Sequence, residues 1–148
     1  MAKRIAGVAC ALAAGLMAGA AAAKDVQGDW IPQDKSGRVH IAPCASDAGR
    51  LCGTIVYVAV PNDSSGKPRR DVNNTDPALR NRTIMGLMLI RDFKPTGPDK
   101  WGDGKIYNPE DGKTYKSKLE LRPDGKLKVS GCVLVICKSQ VWTRPTSG

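Results

Sequence analysis

Beyond residue 24, apolar and polar residues alternate in short runs set apart by Gly, Pro, Asp and Asn. A period of two puts successive side chains on opposite faces of a strand, so each run offers one face to a core and one to water. Gly28–Ile31 opens the series. A turn at Ser36-Gly37 leads to Arg38–Ile41, where Val39 and Ile41 share a face and His40 takes the other. Leu51–Val60 is rich in β-branched residues and predicts a longer strand, closed by Pro61. Thr83–Arg91 carries the most continuous apolar run after the first 23 residues, with Gly86 marking a bulge or a close backbone approach. Turn residues crowd Lys94–Pro98 and Gly102–Gly104, and Lys105–Asn108 is a short strand. In Thr114–Arg122 the side chains of Tyr115, Ser117, Leu119 and Leu121 fall on one face. Leu127–Gly131, Val133–Ile136 and Gln140–Arg144 complete the run after the Pro123-Asp124-Gly125 turn. Such short, evenly spaced strands without an amphipathic helix predict an all-β meander, a barrel or a sandwich.

The first 23 residues break this pattern and read as a cleavable signal peptide. Lys3 and Arg4 precede an apolar stretch from Ile5 to Ala18, and Ala21-Ala22-Ala23 supplies the small residues for cleavage after Ala23. Nothing later is long and apolar enough for a transmembrane segment. The remaining 125 of 148 residues, 24–148, suffice for a single domain with one core. Removing Lys3 and Arg4, the charged residues of the leader, lowers the formal net charge from +9 to +7. A periplasmic or secreted product with this charge can meet anionic lipid, lipopolysaccharide or acidic glycan. Its cations are scattered and its aromatics few, which argues against a nucleic-acid partner.

Cys44, Cys52, Cys132 and Cys137 follow the leader, and an even count in an exported chain points to disulfides. Three pairings are possible. The turn at Ser46-Asp47-Ala48-Gly49 folds Cys44 toward Cys52 and favours that pair, leaving Cys132 for Cys137. The spacings match no zinc framework. Asp99, Asp103, Gly104 and Glu110 have calcium-loop spacing, but Trp101 occupies a ligand position, so no metal and no cofactor is implied. Catalytic elbows, phosphate loops and a free nucleophilic cysteine are missing, and the carboxylates sit in turn or cap contexts.

One connection stands out by its length. Asn62–Arg70 and Asp71–Arg82 together separate two strands in an otherwise short-looped chain, and such loops are usually functional or disordered. Asp76-Pro77 is an N-cap and N1 pair that predicts a helical turn over Pro77–Asn81. Arg80 and Arg82 could clamp an anionic ligand at a barrel mouth or brace the loop against Asp71 and Asp76. Arg80, Arg82, Asp76 and Trp101 are the candidate ligand contacts.

These residues form an ordered set of motifs. Gly28-x-Trp30, Leu51-Cys52-Gly53, Asp71-x-x-Asn74-x-Asp76, Leu79-Arg80-x-Arg82, Gly104-x-Ile106-Tyr107-x-Pro109, Asp111-Gly112-Lys113-Thr114-Tyr115 and Gln140-x-Trp142-Thr143-Arg144 occur in that order. The set resembles the bacterial secreted family known as domain of unknown function 2147, with Thr75 and Thr83 standing where that pattern has proline. The resemblance covers essentially the whole chain after the leader. It implies an exported, lipocalin-like antiparallel barrel of about eight strands and brings no established activity. Trp30 in the first strand and Arg144 in the last resemble the lipocalin latch, in which an arginine packs across a tryptophan where the barrel closes. The expected function is periplasmic binding of a small apolar, amphipathic or partly anionic ligand by a monomer. A structural or interaction protein of the cell envelope is the alternative, and an enzyme the third reading.

Overall fold

The computed structural model describes residues 25–147, and the signal-peptide reading of residues 1–23 lies outside them. Eight strands make one antiparallel sheet in sequence order: β1 (Gly28–Trp30), β2 (Gly37–Pro43), β3 (Leu51–Val58), β4 (Met88–Gly97), β5 (Lys100–Asn108), β6 (Lys113–Leu121), β7 (Leu127–Val133) and β8 (Ile136–Trp142). The sheet curls into a half-barrel. Its two edge strands meet just past their ends, where Ile31 and Thr143 exchange N–H···O bonds of 2.8 and 3.0 Å. No α-helix occurs among the described residues, and none is long and apolar enough to cross a membrane.

The period-two pattern explains why the core sits where it does. Val39 and Ile41 of β2, Leu119 and Leu121 of β6, and Leu127 and Val129 of β7 all point inward. They enclose Trp30, Phe93, Ile90 and Trp142, each fully buried. Burying a large side chain of this kind stabilises by ~1.5–3 kcal/mol. These residues fill the end of the barrel nearest the Ile31–Thr143 pair. At the other end, Ile84, Leu89, Ile106 and Tyr107 are only partly covered.

Three strand expectations need correction. The apolar run from Thr83 does not enter the sheet until Met88, because Gly86 N–H and Ile55 C=O, and Ile55 N–H and Leu87 C=O, tie it to β3 as a bend. The turn-rich Lys94–Pro98 and Gly102–Gly104 segments lie largely within β4 and β5. Their turn chemistry makes bulges instead: Asp103 sits at a φ of 54° where the register slips between Trp101 and Gly104, and another slip follows Pro95. Bulges bend a strand, which is how a flat ladder curls. Finally, Val133–Ile136 is not a separate strand but the tip of the β7–β8 hairpin, with Val133 paired to Ile136 and Leu134-Val135 turning the chain.

Candidate functional site

At the open end the inward faces of β2, β3, β5, β7 and β8 surround a cavity of about 1000 Å³. Its depth is apolar, with Val39, Ile55, Ile106, Val129 and Trp142. Its mouth is polar, with Arg38, Arg69, Arg70 and Lys138 set among Asp34, Asp63, Glu110 and Asp111. The acids are mostly occupied by their own turns. Asp63 accepts from Ser65 and Lys67, Asp34 from the Ser36 N–H, and Asp111 from Tyr115 and Lys113. Ser65, whose hydroxyl bond is the largest influence, and the Lys67 N–H hold the Asp63 carboxyl below its ordinary value.

Of the cations, Arg70 donates to the Asn81 carbonyl. Arg38 approaches Asp29 at 3.7 Å and stacks over Tyr57 at 5.9 Å from the ring centroid. Its Nε is buried without a partner, as is the hydroxyl of Ser117 on the inward face of β6. Gly37 and Arg38 of β2 and Ile136, Lys138 and Gln140 of β8 all border this cavity.

The long loop is ordered by a buried carboxylate at its start. Asp71 is fully buried and accepts hydrogen bonds from Tyr107 Oη at 2.5 Å, Asn74 Nδ2 at 2.9 Å and Arg82 Nε at 2.8 Å. Burial pushes its pKa up, but the bonds from Tyr107, Asn74 and Arg82 and the Arg82 charge outweigh that, and the net shift is downward. Burial and the adjacent carboxylate raise the Tyr107 phenol in turn. Asp76 caps the 3-10 turn Pro77–Leu79 by accepting from the Ala78 N–H at 2.9 Å. Asn73 donates to the carbonyls of Pro109 and Glu110. The loop backbone passes so close to the β5–β6 turn that a Cβ on Gly112, at a φ of +72°, would sit 1.8 Å from Asn73 O.

This geometry separates the sequence candidates from the cavity. Arg82 lies 5.5 Å over the Tyr107 ring and is committed to Asp71, while Arg80 Nε donates to Asn74 C=O at 2.8 Å. Asp76 is a cap. Trp101 is at the far end of β5, paired with Pro95 and Leu119. None of the four lines the cavity. The reason is electrostatic: a carboxylate buried as deeply as Asp71 needs a cation and several donors, and the nearest guanidinium is drawn to it. Arg38 shares the Asp29 carboxylate with His40, the side on which alternation places it, and also borders the cavity mouth. Lys138 and Gln140 were legible in principle, since they fall on the same period-two face as the inward Trp142.

The cysteines pair as Cys44–Cys52 and Cys132–Cys137. Asp92 lies near the first pair, but sulfurs joined in a disulfide are poor metal ligands. His40 Nδ1 lies 2.6 Å from Asp29 Oδ1 on the outer face.

The fold is similar to that of a solved protein of Helicobacter pylori, HP1028, described as belonging to the lipocalin family, with a TM-score of 0.71. That likeness covers 82% of this chain and 84% of the other at 23% identity, and it is a likeness of fold. No curated protein matches the sequence. Residues 28–144 match the family described as "Uncharacterized protein conserved in bacteria (DUF2147)", and the chain belongs to that family.

Proposed function

We propose that this chain is an exported, periplasmic carrier whose cavity takes up a small amphipathic ligand, with the apolar part in the depth and an anionic head at Arg38. The observation that carries the reading is the cavity itself: about 1000 Å³, apolar at depth, with basic and acidic side chains at its mouth, within the usual size range for a ligand pocket. A filled interior would favour a structural role in the envelope instead. The Arg38 side chain, 41% exposed at the mouth, can offer its terminal guanidinium nitrogens to a carboxylate or phosphate head. Export is supported by the leader pattern in residues 1–23 and by two disulfides, which persist in oxidising compartments. The domain is residues 24–148 and acts as a monomer.

Native mass spectrometry of protein released gently from the periplasm tests the reading. The expected spectrum carries an added mass that is lost on organic extraction and that rebinds. Protein that is always bare, and that takes up neither a medium-chain fatty acid nor an alkyl phosphate, ends the carrier reading.

A further inference from the structure

We infer that the tip of the β7–β8 hairpin is a wedge that enters the interfacial layer of an anionic lipid bilayer. Leu134 and Val135 are 91% and 94% exposed, and Val133 and Ile136 beside them are 58% and 72% exposed. Four consecutive apolar side chains in water at the end of a hairpin are not explained by the core, which lies at the other end of the barrel. Local turn chemistry does not explain them either. Leu134 adopts a φ of 54°, a conformation that Asn or Gly takes with far less strain and that two-residue hairpin turns normally assign to them. The chain instead holds a bulky apolar residue there, and the Cys132–Cys137 disulfide clamps the two strands directly beneath it. A strained, stapled, apolar turn is a rigid projection.

The surroundings say what it projects into. Arg91, Lys105 and Lys116 are direct cross-strand neighbours on the outer faces of β4, β5 and β6, and Lys116 is paired with Cys132. All three cations are exposed, and none has a carboxylate within ion-pair distance among the described residues. Like charges placed directly opposite destabilise a sheet, so this row calls for an anionic partner. The tip stands two residues beyond the row, roughly 7 Å at the strand rise. That offset matches a surface whose phosphates meet the cations while the tip reaches about 5–10 Å into the acyl boundary. A second copy of the chain would bring an identical cationic row, and an acidic protein would leave the apolar tip in water. Val133 and Ile136 also line the cavity mouth, so docking would set the cavity against lipid. The inference stands on the tip and the row and does not need the carrier reading.

Vesicle flotation with the disulfide-bonded chain from Lys24 onward, which contains every strand, tests it. Binding is expected to vesicles of equal parts phosphatidylglycerol and phosphatidylcholine and to be at least about tenfold weaker to phosphatidylcholine alone. Leu134→Asn with Val135→Gly installs a favoured turn and keeps or raises the melting temperature, yet should weaken binding at least about tenfold. Lys105→Gln with Lys116→Gln should weaken it about thirtyfold and flatten its salt dependence. No binding to the anionic vesicles, or full binding by the folded turn variant, overturns the proposal. So does a concentration-dependent dimer, seen by sedimentation, that the turn variant loses while lipid binding is unaffected.

Discussion

The guanidinium of Arg144 lies 3.9 Å from the centre of the Trp30 ring and fills the space that a side chain at Gly28 would need. Trp30 is fully buried and spends its indole N–H on the Val26 carbonyl at 2.8 Å. Arg144 covers the ring from outside and donates to the carbonyls of Gln27, at 2.8 Å, and Asp25. The contact thus ties the segment before β1 to the segment after β8, where the two edge strands share only the Ile31–Thr143 bridge. Losing the cation–π contact and the charged hydrogen bonds should cost about 2–3 kcal/mol in Arg144→Ala, discounted because the hydrogen bonds are exposed. Gly28→Ala should destabilise as well, since its φ is +104° and the new Cβ would meet Arg144 Nη1 at 2.9 Å. Urea unfolding measures both. An unchanged midpoint in Arg144→Ala would leave the latch without energetic meaning.

Asp71 sets an acid limit on stability. Its folded pKa lies below the ordinary 3.8, so the carboxylate contributes stability that is complete above that value and is lost as pH falls through the lower folded pKa. Tyr107 works at the other end of the scale. Its folded pKa lies above 10.0, so its contribution holds below pH 10 and fades as pH rises through the folded value. Asp71→Asn should therefore flatten the fall in melting temperature below about pH 4. At neutral pH it should cost roughly 2–4 kcal/mol, because Arg82 and Tyr107 keep donors aimed at a group that no longer carries charge. Parallel acid limbs in wild type and variant would show that another carboxylate controls the transition.

Arg82→Ala tests brace against clamp in the loop. The side chain is 41% exposed while its partner is fully buried, so the loss should fall toward the lower part of the range for a broken buried pair, about 2 kcal/mol. Amide exchange should quicken across residues 71–82, where Arg80 and Arg82 now hold Asn74 and Asp71. Affinity for any ligand in the cavity should not change. A variant that melts normally but binds an alkyl anion less tightly would return Arg82 to the site.

Each disulfide closes a short loop, with sequence separations of 8 and 5. The chain-entropy relation gives ~2–3 kcal/mol for loops of this size. Peptide mapping without reductant should recover Cys44 with Cys52 and Cys132 with Cys137. A peptide joining either of the first two to either of the last two would contradict the pairing. Cys132→Ser with Cys137→Ser should also loosen the Leu134-Val135 turn and speed exchange there, with little change near Cys44.

How far the sequence could be read follows from which contacts are local. Alternation in Thr114–Arg122 placed Ser117, Leu119 and Leu121 inward, where they are buried, because a regular ladder preserves period two. The Asp76-Pro77 cap was legible for the same reason, being complete within four residues. That Arg38 borders the cavity mouth was not legible, since the mouth is assembled from strands far apart in the sequence. Bracing of the loop by Arg82 on Asp71 was one of the two readings the sequence offered, whereas Tyr107 arriving from β5 to share that carboxylate was not legible. The Leu134-Val135 turn was hidden by its own composition, as nothing in Val-Leu-Val-Ile signals a reversal.

The two ends of the barrel should respond oppositely to an added ring. Ile106 is half-buried, faces inward from β5 and lines the cavity, whereas Leu119 faces inward from β6 into the packed end and is 2% exposed. Overpacking a filled core costs typically ~1–3 kcal/mol because side chains and backbone must shift. Leu119→Trp should pay at least that. Ile106→Trp has open space before it and should melt within about 0.5 kcal/mol of wild type, while filling enough of the cavity to abolish binding of a medium-chain fatty acid. Arg38→Gln, with the cavity left open, should weaken the same fatty acid by roughly 1.5–3 kcal/mol, the range for hydrogen bonds to a charged group, and leave a neutral alcohol of equal length nearly unaffected. If Ile106→Trp unfolds as readily as Leu119→Trp, the interior is packed from end to end. A packed interior has no room for a ligand, and the carrier reading would then give way to a structural role in the envelope.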